Sequence, residues 1–164
     1  MKNKRLTSLL LLALSGLGVS IYQTWHYYQL RGGVAGFKSF CNINESLNCD
    51  AVTSSQYADF IWGIPLSSVA AAWFATLAIV AVLARLSDWR REASRIALAM
   101  TIWATGVSLV YVGILSAALK TYCLLCLVVD GINFLALGIA VSLKPERFTA
   151  HRADRGRWIT VAGT

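Results

Sequence analysis

Four cysteines, Cys41, Cys49, Cys123 and Cys126, are the residues of this 164-residue chain whose type and spacing suit redox chemistry. They form two close pairs with none left over, which in an oxidising compartment means two disulfides or two redox couples. Cys41 and Cys49 could simply staple a loop. Cys123 and Cys126 form a Cys-x-x-Cys, and thiols three apart on a helix are neighbours that can close a disulfide across one turn. At a helix N-terminus the aligned peptide dipoles favour the thiolate, the attacking and electron-donating form. Four thiolates could also hold zinc. Two sulfurs on an apolar helix suit that poorly, and no metal is expected.

The elements that must position these sulfurs are read from hydropathy. Hydrophobic residues make up 57% of the chain and charged residues 14%, with a mean hydropathy of +0.58. This excludes a disordered chain and points to a membrane protein. Four apolar runs, about 6–22, 64–84, 96–119 and 122–143, are each long enough at 1.5 Å per residue to cross a hydrocarbon core of roughly 30 Å. The expected fold is an all-α integral membrane protein: a four-transmembrane-helix bundle over residues 1–143 with a long outer loop, Gln23 to Gly63, between helices one and two. The first run follows Met1-Lys-Asn-Lys-Arg5 and is read as an uncleaved anchor; a cleaved signal peptide would deliver the next segment to the same side. Residues 144–164 read as a basic cytoplasmic tail lying on anionic lipid, with no enzyme domain.

Charge sets the orientation. Lys2, Lys4, Arg5, Arg85, Arg90, Arg91, Arg95 and the five basic residues of the tail put twelve cations on one side, against Arg31, Lys38 and Lys120 on the other. The positive-inside rule then places both termini in the cytoplasm of a multi-pass inner-membrane protein, with the first and third loops outside. The net charge of +7 is thereby explained, and a nucleic-acid partner is excluded. Trp25, Tyr27, Tyr28, Trp62, Trp89 and Tyr122 lie near span ends, where amphipathic rings favour the headgroup layer.

With this orientation all four cysteines are at the outer side. Cys126 lies about 4.5 Å deeper than Cys123 on the last helix, so the inner sulfur faces hydrocarbon while the loop pair faces water. A redox pair half in lipid suits a membrane-soluble two-electron carrier such as a quinone. Electrons could pass from an outside protein dithiol to Cys41–Cys49, by exchange to Cys123–Cys126, and on to the quinone.

The run Cys41-Asn-Ile-Asn-Glu-Ser-Leu-Asn-Cys49-Asp50, then Ser54-Ser55, Trp62-Gly-Ile-Pro-Leu-Ser67 and Tyr122-Cys-Leu-Leu-Cys126, resembles the bacterial branch of the vitamin K epoxide reductase family over about residues 6–143. The resemblance implies a four-helix bundle around a quinone, with loop cysteines relaying electrons between a thioredoxin-fold partner and the inner pair. By position, Cys126 resembles the family's quinone-facing cysteine and Cys123 its exchange partner. Cys49 resembles the loop cysteine that exchanges with Cys123, and Cys41 the one that meets the outside protein. Ser55 matches the family's loop hydroxyl beside the quinone, with Ser54 next to it as the other candidate; such a hydroxyl could donate to a quinone oxygen as charge develops. The thioredoxin-like domain that some relatives carry is absent from this sequence, so the partner is expected to be a separate protein. The acceptor is a menaquinone or ubiquinone, and the direction of electron flow follows the potentials. Epoxide chemistry is not carried over.

Asp130 is the acidic residue within a predicted span, four residues after Cys126 on nearly the same face. It is expected to lie below the quinone site, where it bonds the ligand or moves protons, or else to pair with a hydroxyl or with Asn133. His26 reads as an interfacial histidine, Gly63-Ile64-Pro65 as a helix start, and Gly106 and Gly113 as sites of close helix packing. The reading of a different class is a non-enzymatic membrane protein whose outer loop is stapled by Cys41–Cys49.

Overall fold

The computed structural model describes residues 2–33, 39–60, 63–86 and 89–143; Lys38, Trp62 and the tail from Lys144 lie outside the described residues. Helix α1 spans Lys2–Arg31, α2 Cys49–Ser54, α3 Leu66–Leu83, α4 Arg90–Ile114 and α5 Leu124–Ser142. A 3₁₀ turn, Gln56–Ala58, follows α2, and a π-helical turn, Leu115–Leu119, extends α4. Four segments, Asn3–Arg31, Leu66–Leu83, Arg90–Leu119 and Leu124–Ser142, are long and apolar enough to cross a membrane. The fold is therefore the all-α, four-span bundle, with its longest connection between the first two spans.

Two helices run further than their apolar stretches. The first continues nine residues beyond Tyr22, and the third begins at Arg90 rather than Ile96. An apolar count stops at Gln23 and Thr24, but a polar side chain ends no helix when it finds a partner within the bundle. Thr24 Oγ1 donates to the Ser20 carbonyl at 2.8 Å and lies 3.0 Å from Ser67 Oγ on α3.

Helix α1 packs against both α3 and α5, and α4 closes the bundle against α3 and α5. Arg5 donates to the Ser142 carbonyl, and Arg85 donates to Thr7 Oγ1 at 3.1 Å, so the start of α1 lies with the ends of α3 and α5. Small and polar side chains fill the interior, including Ala81, Ala97, Ala136, Thr101 and Ser108, while Leu11, Ile79, Trp103 and Leu135 point outward. That distribution suits lipid, where close backbone packing holds helices together and apolar side chains need no burial. Two buried hydroxyls of α4 are satisfied locally: Thr101 donates to the Ala97 carbonyl at 2.9 Å and Thr105 to the Thr101 carbonyl at 2.8 Å.

Gly106 and Gly113 do not mediate close packing, because a Cβ at either would meet nothing within 4 Å. Gly16 takes that part instead, since a Cβ there would stand 2.5 Å from the buried Phe74 ring. The seven-residue spacing on α4 proved uninformative because both of its glycines face outward.

Candidate active site at the cysteine end

The backbone brings the two pairs together before any sulfur contact forms. Beyond the π-helical turn, Lys120 takes a left-handed conformation (φ 52°), and its N–H bonds the Leu115 carbonyl at 2.9 Å. The chain then pairs with the loop. Tyr122 N–H donates to the Ser46 carbonyl at 2.8 Å, and Asn48 N–H donates to the Tyr122 carbonyl at 3.0 Å. The Asn48 side chain caps α2 by accepting from Ala51 N–H at 3.0 Å, which makes Cys49 the first residue of that helix. Cys123 caps α5 in turn, its sulfur accepting from Cys126 N–H at 3.4 Å. Two helix starts thus meet, each carrying a cysteine.

Cys41 and Cys49 are joined in a disulfide, and Cys123 and Cys126 are free thiols. Cys123 Sγ lies 3.3 Å from Cys49 Sγ. Cys41, Cys49 and Cys123 are buried together with Val52 and Leu115 in one cluster, against which Tyr111, Leu125 and Cys126 pack. All four predicted cysteines therefore form one site, with a thiol of one pair touching the disulfide of the other. The Cys126 thiol, the backbone N–H groups of Cys126 and Leu125 and the Gln23 amide hold the Cys123 thiol below its ordinary range, against the opposing effect of burial. A thiolate beside a disulfide sulfur is the arrangement that exchange requires.

Residues not singled out from the sequence hold this geometry. Asp50, next to Cys49, accepts from Asn42 Nδ2 and from Ser39 N–H at 3.3 Å, and lies 2.9 Å from His26 Nε2. Its own N–H donates to Asn42 Oδ1 at 3.2 Å. Asp50 thus ties both flanks of Cys41 and the start of α2 to α1. His26 is 2% exposed within the protein, because α1 continues past it and Asp50 meets it there. One turn earlier, Gln23 Nε2 lies 3.4 Å from Cys126 Sγ and 3.9 Å from Cys123 Sγ. Gln23 and His26 are three apart and share a helix face, a polar pair that the apolar count had assigned to the loop.

The Ser55 hydroxyl donates to the Val52 carbonyl at 2.7 Å and accepts from Tyr57 N–H at 3.3 Å, capping the 3₁₀ turn, while Ser54 is exposed. That turn leans on α4, where Tyr111 Oη donates to the Tyr57 carbonyl at 3.3 Å. Tyr111, like Cys126, also packs against the cluster of Cys41, Cys49 and Cys123. Asp130 interacts with Ser108, which accepts from Asn133 Nδ2 at 3.0 Å, while Asp130 Oδ2 is buried with no hydrogen-bond partner. Among the described residues, no group of three or more His, Cys, Asp or Glu side chains could hold a metal ion.

The model of the vitamin K epoxide reductase family matches residues 7–141, most of the chain and every residue of this site. The chain belongs to that family. Vitamin K epoxide reductase family membership, with four spanning helices, makes it a multi-pass membrane protein and an oxidoreductase of the thiol–disulfide kind. Comparison with curated proteins one by one gives no match.

Proposed function

We propose that the protein re-oxidises a thioredoxin-fold dithiol partner on the outer side of the cytoplasmic membrane and passes the two electrons to a membrane quinone, supporting protein disulfide formation. The observation that carries this reading is the 3.3 Å contact between Cys123 Sγ and Cys49 Sγ, a free thiol against a disulfide. The stapled-loop reading accounts for Cys41–Cys49 but gives that contact no purpose.

The cysteine steps balance as thiol–disulfide exchange. A partner thiolate attacks Cys41 and breaks Cys41–Cys49, and Cys49 leaves as a thiolate; the second partner thiol then releases the partner as a disulfide. Cys49 attacks Cys123 of an oxidised Cys123–Cys126 pair, and Cys126 leaves as a thiolate. Cys41 resolves the Cys49–Cys123 bond, which restores the Cys41–Cys49 disulfide and leaves two inner thiols, the oxidation state of this structure. Cys41 is fully buried, so the Ser39–Asn42 flank must move for the first attack.

A quinone at the inner pair supplies an acceptor for two electrons and two protons. Cys126, Ser55 and Asp130 are the residues proposed to hold it. The unpartnered buried Asp130 Oδ2, on the same helix as Cys126, fits a polar ligand. Ser55 would have to redirect its hydroxyl from Val52. The identity of the quinone, as menaquinone or ubiquinone, is set by the host membrane in this reading.

The test is quinone reduction by the purified protein in detergent, supplied with a reduced thioredoxin-fold dithiol, beside Cys41→Ser and Cys126→Ser. Quinone consumed in step with new disulfide, and lost in both variants, supports the relay. Folded protein without cysteine-dependent turnover across a quinone panel returns the stapled-loop reading.

A further inference from the structure

Helix α1 contributes no cysteine, yet its last turns reach both halves of the site: His26 through Asp50 to the loop, and Gln23 directly to the inner sulfurs. The two inner sulfurs are served differently. Cys123 sits at the N-cap of α5, where backbone N–H groups point at it. Cys126 is the third residue of α5, and its own backbone N–H is given to Cys123 Sγ. Apart from its partner thiol, Cys126 Sγ has one hydrogen-bond donor among the described residues, the Gln23 side-chain amide at 3.4 Å.

We propose that Gln23 is a catalytic residue whose amide N–H carries the negative charge that exchange places on Cys126. The proposal deepens the relay described above and rests on it. When Cys49 attacks Cys123, the Cys49–Cys123 bond forms, the Cys123–Cys126 bond breaks and its electron pair goes to Cys126 Sγ. A neutral donor fixed beside that sulfur gains strength as the charge develops. An amide suits the position for two further reasons. It does not titrate, so it can neither quench the thiolate by giving up a proton nor vary with pH, and it costs less than Lys or Arg at the edge of the hydrocarbon. The same bond lowers the barrier to losing Cys126 as leaving group.

The test needs no quinone. Fully reduced protein, wild type, Gln23→Leu and Gln23→Glu, is alkylated with N-ethylmaleimide from neutral to alkaline pH, and modification of Cys126 and Cys123 is followed separately by peptide mass spectrometry. Loss of the donor removes the hydrogen bond that stabilises charge on Cys126 Sγ. Each thiolate is then roughly threefold more nucleophilic, since nucleophilicity falls as thiolate stability rises. Gln23→Leu is therefore expected to alkylate about threefold more slowly at Cys126 at neutral pH and faster than wild type in alkali, with the two profiles crossing. Cys123, with its backbone donors intact, changes less. Gln23→Glu, which keeps the shape and removes the donor, follows Gln23→Leu or exceeds it. A mere change of packing would shift both ends of the profile in one direction, and that result, or profiles that coincide with wild type, overturns the proposal. If Gln23→Leu does not fold, as read by loss of the Cys41–Cys49 disulfide after reoxidation, the Gln23→Glu profile decides by the same criterion. Crossing profiles in a protein without quinone turnover leave Gln23 standing and remove the quinone arm; coincident profiles in a protein with turnover do the reverse.

Discussion

At the end of the bundle away from the cysteines, Leu6, Leu9 and Ala13 of α1 meet Phe74, Leu77 and Ala81 of α3, with Ala97 and Ala136 completing the contact. At the cysteine end, Cys41, Cys49, Val52, Leu115 and Cys123 form a smaller cluster, tied down by Asp50, Asn42, Ser39 and a two-bond bridge to Tyr122. The first region is mainly shape: small residues and one glycine let helices approach, with the Arg5 and Arg85 hydrogen bonds at its edge. The second is position: Ser39 bonds the Cys41 sulfur, Cys126 N–H the Cys123 sulfur, and Gln23 of α1 reaches both inner sulfurs. A packed alanine interface tolerates a shift of a few tenths of an ångström, whereas two sulfurs at 3.3 Å do not. Substitutions at one end should therefore change stability, and at the other chemistry.

Cys123→Ser should sharpen this contrast most. Internal exchange falls to background, seen as failure to trap a Cys49–Cys123 mixed disulfide, while thermal unfolding in detergent stays within about 1 kcal/mol of wild type. Phe74→Ala should do the opposite. Emptying the contact at Gly16 lowers unfolding stability by about 3 kcal/mol, with turnover per folded molecule unchanged. Lost turnover at full stability in that variant would break the comparison. Asp50→Asn, nearly isosteric but uncharged, weakens the bonds from His26 and Asn42 and slows exchange between the pairs by roughly tenfold to a hundredfold in stopped-flow quenching, since small misplacements of reacting atoms cost that much. An unchanged exchange rate would show that the bridge to Tyr122 alone positions Cys49.

The smallest expected change is in pH dependence. The Cys123 thiol is held low chiefly by the Cys126 thiol, so its thiolate persists below the ordinary thiol range and alkylation declines only as pH falls through that lowered value. Cys126→Ala removes the principal donor and moves the decline to higher pH, which rate measurements across pH read directly. A profile that does not move would assign the effect to the backbone N–H groups instead.

Hydropathy runs and cysteine spacing made the four spans and the four cysteines of the candidate site legible in the sequence, because span length and residue type are local properties. The extension of α1 to Arg31 was not legible. Its polar residues are helical only because Ser67, Asp50 and the inner sulfurs, distant in the chain, receive them. For the same reason, a sequence count sees His26 and Gln23 as loop residues and Gly106 and Gly113 as packing residues. It has no term for which face of a helix meets a neighbour.

The sequence by itself determined the membrane class, the number of spans and the cysteines available for redox chemistry. Hydrocarbon thickness and sulfur chemistry constrain those without reference to contacts. Only the tertiary structure decided which thiol faces which disulfide, and which side chains steady them. These are relations between segments as far apart as Gln23, Asp50 and Cys123, and they come to exist when the bridge from Leu47 to Tyr122 brings two helix starts together.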